Sequence, residues 1–162
     1  MNKLYEDFFC FTESLTAFRP IIGLDLGTKT IGVAASDMLL TAATPLVTIK
    51  RLKFKLDLEE ILKIINDRNA GGIIIGLPRN MDGSEGPRAQ STRSFYHNLK
   101  KEIPLPMAFW DERLSTVAAE KSLLETDTSR KRRAQIIDSV AAAYILQGAL
   151  NRITNIRSKN DR

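Results

Sequence analysis

Hydrophobic positions in the first half of the chain occur in two kinds of pattern. An apolar run beginning at Ile21 and a second run at 31–35, with a glycine-containing turn between them, predict two strands. A third apolar segment at 45–49 predicts another strand. Within 57–66, apolar residues recur at three- and four-residue intervals, which predicts a helix with one buried face.

The second half of the chain contains further apolar segments separated by turn residues. They predict, in order, a buried strand at 73–78, a helix at 88–102, a strand at 105–110, a helix at 116–124 capped by Ser115, and a last helix at 129–153. This order predicts an α/β fold, with a mixed five-stranded sheet of three antiparallel meander strands plus two parallel strands, flanked by helices. Ligands of such sheets bind at the carboxyl ends of the parallel strands.

Asp25 lies inside the first predicted strand, among isoleucine and leucine. A carboxylate in apolar surroundings is costly to desolvate and needs a cation, a metal ion or solvent access. Gly23 and Gly27 flank it, and glycine lets a backbone or a phosphate come close. Two interpretations remain open at this point: a metal-binding aspartate on a central strand, or an aspartate that caps a turn.

Three more acidic residues are expected near the same edge of the sheet. Asp111 and Glu112 follow the fifth strand, and Asp138 lies on the inward-facing stripe of the last helix. Taken singly, each favours a structural role, such as a cap or an ion pair with Arg113 or Arg133. As a set with Asp25 they favour a site for Mg²⁺ or Mn²⁺, ions that prefer carboxylate oxygen and that can promote phosphodiester hydrolysis.

The charge balance points to a polyanionic partner. Lysine and arginine number 24 against 19 acidic residues, which gives a net charge of +5 and a pI near 9.5. Cations are concentrated at 130–133 and in the basic tail at 153–162, and such clusters attract nucleic acid, although a solvated helix face is the commoner explanation of a short basic run. The single cysteine, Cys10, excludes an internal disulfide and a cysteine-rich zinc site.

The segment after the fourth strand, 75–88, combines three glycines with Arg79 and Arg88. Its backbone could form an anion-binding nest, and the two arginines could contact phosphates. It lacks the Gly-Lys-Ser/Thr sequence of a P-loop. The predicted nucleic-acid contacts are Lys29, Arg79, Arg88, Arg113, Arg130, Lys131, Arg132 and Arg133.

Four of these segments, 23–34, 76–87, 111–116 and 138–147, together resemble the YqgF/RuvX family of Holliday-junction-resolvase-like proteins. The resemblance spans about residues 21–150 and implies a ribonuclease H-like fold. It also implies a cytoplasmic bacterial nuclease that matures the 5′ end of precursor 16S ribosomal RNA.

The family's acidic site would fall on Asp25, Glu112 and Asp138, with Asp111 as a further metal ligand. One departure stands out. The fourth strand ends in Gly76-Leu77-Pro78, where junction resolvases of this superfamily usually carry a catalytic glutamate. The family resemblance therefore requires Glu112, on the next strand, to reach the same point.

Three functions are compatible with these observations. The first is a metal-dependent endonuclease that acts on structured RNA, with the assembling small ribosomal subunit as partner. The second is a Holliday junction resolvase, which cuts four-way DNA as a dimer, and the third is a non-catalytic RNA-binding assembly factor. The expected organisation is an N-terminal extension (1–19), a nuclease domain (20–152) and a basic tail (153–162), as a monomer or a homodimer.

Overall fold

The computed structural model describes residues 3–114 and 130–160, and within these ranges the side chains of Tyr5 and residues 130–136 are not described. The predicted Ser115 cap and the helix at 116–124 lie outside the described residues. The elements are α1 (Lys3–Glu13), β1 (Ile21–Leu26), β2 (Thr30–Ser36), β3 (Ala43–Lys50), α2 (Phe54–Arg68), β4 (Gly72–Leu77), α3 (Pro87–Glu102), β5 (Met107–Asp111), a 3₁₀ turn (Glu112–Leu114) and α4 (Arg130–Asn160).

The five strands form one sheet in the order β3-β2-β1-β4-β5. Strand β1 pairs antiparallel with β2 and parallel with β4, so that Leu24 lies between Val33 and Ile75. Strand β3 adds antiparallel to β2, and β5 adds parallel to β4. The predicted meander followed by two parallel strands is therefore confirmed, and the carboxyl ends of β1, β4 and β5 lie along one edge.

Each strand of the sheet's centre is buried on both faces, because helices cover both. On β1, Ile22 and Leu24 pack in a cluster with residues of α2 and α3. Ile21 points to the opposite face and packs in a second cluster with α4 and α1. Since successive side chains of a strand alternate between faces, Gly23 and Asp25 share the α4 face with Ile21.

Helix α4 lies unusually close to the sheet because small residues meet at the contact. Ala141, Ala142 and Ala149 are buried, and a Cβ atom added to Gly23 would come within 2.8 Å of the Cβ atom of Leu146. Such close packing fixes the height of α4 above the strands. It therefore also fixes the position of any functional side chain that α4 carries.

The N-terminal extension contains α1, and this helix joins the hydrophobic core. Phe8 and Phe11 on α1 are buried, and the ring of Phe8 lies 5.7 Å from that of Trp110 on β5. Helix α1 thus covers the outer side of the sheet beside β5.

The last helix continues to Asn160, two turns beyond the predicted end at residue 153. Ile153 and Ile156 account for this difference, because both side chains are buried in the cluster between α4 and the sheet. The basic segment thus begins as part of a packed helix. Among the helices that the structure describes, none has a stretch both long and apolar enough to cross a membrane.

Candidate active site

Asp25 lies one residue from the end of β1, with its side chain 5% exposed. Its partner across the antiparallel pair is Gly32 of β2. On the other side, extending the β1–β4 register by one residue beyond Leu24 and Ile75 places Gly76 next to it. The carboxylate therefore lies on the α4 face between two glycines, and neither neighbour has a side chain that would cover it.

Glu112 reaches the end of β4 from the next strand. It begins the 3₁₀ turn that follows β5, and its side chain folds back over Gly76. A Cβ atom built on Gly76 would lie 2.7 Å from Oε1 of Glu112 and 3.2 Å from its Cγ. The Glu112 side chain thus occupies the space that a side chain at position 76 would fill. This is the place at which the family resemblance requires a carboxylate.

Asp138 reaches the same edge from α4, on the other side of Asp25. A Cβ atom on Gly32 would overlap the backbone carbonyl of Asp138, so only glycine permits this approach. The hydroxyl of Thr30 donates a hydrogen bond of 2.5 Å to Oδ2 of Asp138. Helix α4 is thereby held at the start of β2, beside the end of β1.

The three acidic residues thus lie along one row of the sheet, with the Asp138 carboxylate turned to Thr30. Asp138 stands over Gly32, Asp25 is on the central strand, and Glu112 stands over Gly76. Adjacent strands are about 4.8 Å apart, so the row spans roughly 10 Å between its outer strands. Of the residues described, no three His, Cys, Asp or Glu side chains are arranged so that they could hold a metal ion as they stand.

The donor set nevertheless fits a hard divalent cation. All three groups are carboxylates, which Mg²⁺ and Mn²⁺ prefer, and the glycines at 32 and 76 make room for the Asp138 backbone and the Glu112 side chain on either side of Asp25. Gathering the ligands would require the Asp138 carboxylate to turn away from the Thr30 hydroxyl. Asp138 lies over β2, Asp25 on β1 and Glu112 over β4, which are three adjacent strands.

Asp111 lies apart from this row. It pairs with Leu77, and alternation along β5 directs it to the face opposite Trp110, which packs on the α4 side. Its carboxylate accepts hydrogen bonds from the backbone N–H and the guanidinium of Arg113, the shortest being 2.6 Å, and lies 3.7 Å from the guanidinium of Arg79. The ion pair with Arg113, considered in the sequence analysis as the alternative to metal binding, is therefore present.

The charge state of Asp111 follows from these contacts. Burial raises the pKa of Asp111, but the hydrogen bonds from Arg113 and the attraction of Arg113 and Arg79 outweigh burial and lower the pKa below its ordinary value of 3.8. The same contact raises the pKa of Arg113. Asp111 is thus an anchor for two cations, Arg113 and Arg79.

The loop after β4 is held by a second carboxylate. Glu85 accepts two hydrogen bonds from Arg93 on α3, at 2.5 and 2.8 Å, and one from Arg79 at 3.3 Å. The hydrogen bond from Arg93 is the largest cause of the lowered pKa of Glu85. Arg93, Glu85, Arg79, Asp111 and Arg113 therefore form a continuous chain of alternating charges, which we call the ion-pair chain.

The predicted phosphate contacts fall into three groups. Lys29 is exposed in the β1–β2 turn, and Arg88 is exposed in the first turn of α3. Arg79 and Arg113 belong to the ion-pair chain, and Arg79 has only 15% of its side chain exposed. The remaining predicted cations, residues 130–133, begin α4, and their side chains lie outside the described part of the structure.

Arg51 is a candidate that the sequence analysis missed. It follows β3 directly, and its guanidinium donates a 2.6 Å hydrogen bond to the carbonyl of Gly27 in the β1–β2 turn. The predicted meander already implied this position for Arg51. Because β3 is antiparallel to β2, the end of β3 returns to the edge at which β1 ends. Thr30 is indeed paired with Lys50 there.

Comparison with known proteins adds sequence and fold relatives. A family model described as "RuvX: Holliday junction resolvase" matches residues 19–152. A protein of Roseobacter denitrificans named "Putative pre-16S rRNA nuclease" is 62% identical over 160 residues, which cover 98% of each chain. A protein of Paracoccus denitrificans with the same name is 63% identical over 148 residues, covering 91% of this chain and 94% of the relative.

Solved structures show the same fold at low identity. RuvC of T. thermophilus, in complex with a Holliday junction substrate, aligns with a TM-score of 0.52 at 11% identity, over 84% of this chain and 96% of RuvC. The yeast mitochondrial Holliday junction resolvase Ydc2 aligns with a TM-score of 0.55 at 10% identity, over 99% of this chain and 90% of Ydc2. The mixed sheet and its helices are thus those of a RuvC-like, ribonuclease H-like fold. On the family match and the relatives above 60% identity, the chain belongs to the RuvX family.

Proposed function

We propose that the protein is a metal-dependent endonuclease that cleaves precursor 16S ribosomal RNA near its 5′ end. The observation that carries the proposal is the position of Glu112 over Gly76, beside Asp25, with Asp138 on the opposite side of the same row. The substrate follows from the relatives, which are named for that RNA. The cellular setting that follows is the bacterial cytoplasm, with the assembling small ribosomal subunit as partner.

Asp25, Glu112 and Asp138 would hold Mg²⁺ or Mn²⁺. When bound there, the cation supplies charge stabilisation for the reacting phosphodiester and a more acidic water. Asp25 would be the central ligand, because its strand β1 lies between β2 and β4, over which the other two residues lie. We do not place Asp111 in this set, since its oxygens are occupied by Arg113 and Arg79.

The remaining residues would bind and orient the RNA. Lys29 and Arg88 are exposed at the edge where β1 ends, and residues 130–133 add four cations at the start of α4. Arg79 and Arg113 would act mainly by fixing the loop after β4 and the turn that carries Glu112. The catalytic unit proposed here is 20–152, with α1 as a stabilising extension.

The direct test is the Asp25→Asn variant. It is incubated with a precursor RNA that spans the 16S 5′ end, with Mn²⁺ or with EDTA, and the products are mapped by primer extension. We expect the wild-type protein to cut only with Mn²⁺, and the variant to lose at least about 100-fold in rate while RNA binding changes by less than about threefold. The matched control is Asp67→Asn, the same change at an exposed position on α2. Metal-dependent cleavage that persists in Asp25→Asn would refute the assignment.

A second candidate, resolution of four-way DNA junctions, is favoured by one observation: the fold is shared with RuvC and Ydc2. The same carboxylates would serve either substrate. Symmetric junction cutting needs two active sites, so this candidate requires a dimer. Cleavage assays run in parallel on junction DNA and precursor RNA distinguish the RNA nuclease from the junction resolvase. Light scattering gives the molecular mass and therefore shows whether the protein is a dimer. Binding of RNA with no cleavage of either substrate would instead support the non-catalytic assembly factor.

A further inference from the structure

A cavity of about 220 Å³ opens at the carboxyl end of β1, on the side of the sheet that carries α3. It lies between the β1–β2 turn, the residue after β3 and the first turns of α3. Its polar side chains are Thr28, Arg51, Arg88, Ser91 and Thr92. Within the described part of the chain, its lining contains two guanidinium groups and no carboxylate.

The two arginines of the cavity differ in how firmly they are held. Arg51 is held twice, by its 2.6 Å hydrogen bond to the Gly27 carbonyl and by a cation–π contact with the ring of Phe95, 5.5 Å from the ring centre. Arg88 is exposed, and its only close backbone acceptor in the described structure, the Leu26 carbonyl, is 3.4 Å away. That is longer than an ordinary hydrogen bond. The cavity thus combines a preorganised guanidinium with an adjustable one.

Helix α3 contributes further positive potential. It is 16 residues long, and it begins at Pro87 after Gly86, with no side-chain cap and no acidic residue in its first turn. The backbone N–H groups of Arg88 and Ala89 have no acceptor within the helix, because they belong to its first turn. The hydroxyl of Ser91 lies in the same lining. Arginine forks, hydroxyls and helix N-terminal amides are together the chemistry of a phosphate site.

We propose that this cavity binds a backbone phosphate of the nucleic acid, next to the phosphate that is cleaved. The proposal rests on the nuclease function proposed above. Gly27, whose carbonyl holds Arg51, is two residues from Asp25, so their Cα atoms are at most about 7 Å apart. One strand of nucleic acid that crosses this edge would therefore contact both the carboxylate row and the cavity. The cavity would set the register of the strand on the catalytic residues.

The first experiment uses inorganic phosphate and a short single-stranded RNA as separate probes, each without metal. The wild-type protein is followed by NMR through the backbone amides of Arg88 and Ala89 and the side-chain Nε–H of Arg51. We expect both probes to shift these signals in a saturable manner, and Arg88→Ala to weaken both bindings. Shifts with phosphate but none with RNA would assign the cavity to a free anion and overturn the backbone-phosphate assignment.

The second experiment measures RNA affinity against salt concentration in the Asp25→Asn background, in which cleavage does not interfere. Arg88→Ala is expected to reduce the slope of log K against log salt by about 0.7–0.9, the loss of one phosphate contact. Arg68→Ala is the matched control, because it removes an exposed arginine at the end of α2, near the opposite edge of the sheet. Ser91→Glu, which adds a carboxylate to the lining at an exposed helical position, is expected to weaken binding by at least about tenfold.

The outcomes separate this inference from the nuclease function. Normal cleavage with unchanged slopes and affinities in Arg88→Ala and Ser91→Glu would overturn the phosphate site and leave the nuclease proposal standing. If the wild-type protein cleaved neither substrate but both probes gave saturable shifts at Arg88 and Arg51, the phosphate site would stand and the nuclease proposal would be overturned. Equal effects of Arg88→Ala and Arg68→Ala would show general charge attraction rather than a site, and would also overturn the proposal.

Discussion

At the scale of single residues, the candidate site depends on two glycines as much as on its carboxylates. Gly32 lets the backbone of Asp138 approach β2, and Gly76 leaves the space that Glu112 fills. A side chain at position 32 would overlap the backbone of Asp138, and one at position 76 would compete with the Glu112 side chain for the same volume. The two glycines therefore determine how closely Asp138 and Glu112 approach the sheet, although neither glycine carries any chemistry of its own.

Gly76→Ala tests this complementarity. The new Cβ atom would lie 2.7 Å from Oε1 of Glu112 and 2.6 Å from Cδ1 of Ile145, both at the mobile ends of side chains. The fold should therefore survive at a cost of about 1–3 kcal/mol, whereas displacement of Glu112 should lower the cleavage rate by at least about tenfold. The measurements are the urea midpoint and single-turnover cleavage with Mn²⁺.

Gly86→Ala is the control for this substitution, because the nearest atom to its new Cβ would be 4.0 Å away. We expect nearly wild-type stability and cleavage for it. Full activity of Gly76→Ala would show that Glu112 does not act from its position over β4.

At the scale of elements, the ion-pair chain links three segments that must stay in register. Glu85 in the loop after β4 holds Arg93 on α3, and Arg79 connects this loop to Asp111 at the end of β5. Glu112 follows Asp111 directly, so the chain sets the direction in which the turn after β5 leaves the sheet. Charge pairing on one face of the sheet thereby positions a carboxylate on the other.

Asp111→Asn tests the role of the chain through its pH dependence. The folded-state pKa of Asp111 lies below its ordinary value of 3.8, so its charge contributes stability that is complete above that value and is lost as the pH falls through the folded pKa. We expect the variant to be about 1–2 kcal/mol less stable than the wild type at pH 7. This difference in the free energy of unfolding between the wild type and the variant should narrow progressively below about pH 4.

Urea unfolding between pH 3 and 7 gives this comparison, and cleavage at pH 7 gives the accompanying loss of activity through Glu112. A gap that stays constant over the whole range would contradict the role assigned to the Asp111 charge. Asp67→Asn should show no comparable gap at pH 7, because Asp67 is exposed on α2.

At the scale of the whole molecule, the N-terminal helix extends the hydrophobic core beyond the segment that matches the family. The family model begins at residue 19, yet Phe8 and Phe11 of α1 are 4% and 3% exposed. The relative from Roseobacter denitrificans aligns over 98% of the chain and therefore shares most of this extension. We interpret α1 as a cover for the sheet beside β5.

Phe8→Ala measures what this cover contributes. Removal of a buried ring that contacts Trp110 and Phe11 should cost about 3 kcal/mol. Phe9→Ala, at a neighbouring position that is 38% exposed, should change stability by no more than about 0.5 kcal/mol. Chemical unfolding monitored by circular dichroism compares the two, and equal midpoints would show that α1 is not part of the folded core.

The local pattern of the chain was sufficient to predict the five strands and which of them run antiparallel or parallel. Apolar runs and turn glycines predicted five strands, and the helices between the last three required parallel connections, which the pairing confirms. Asp25 was identifiable as a candidate site residue because a carboxylate within an apolar strand is energetically costly. Element ends were predicted less well, since the end of α4 depends on the burial of Ile153 and Ile156 against the sheet.

The sequence by itself thus determined the architecture, the family and the acidic residues available for chemistry. Only the tertiary structure separated Asp111 from Glu112, two adjacent residues, because strand alternation and the turn after β5 send them to different surroundings. It alone brought Arg51 to the end of β1. The physical reason is common to both cases: periodicity along a chain reports which residues are buried, whereas the meeting of distant side chains depends on strand register, close helix packing and the direction of turns.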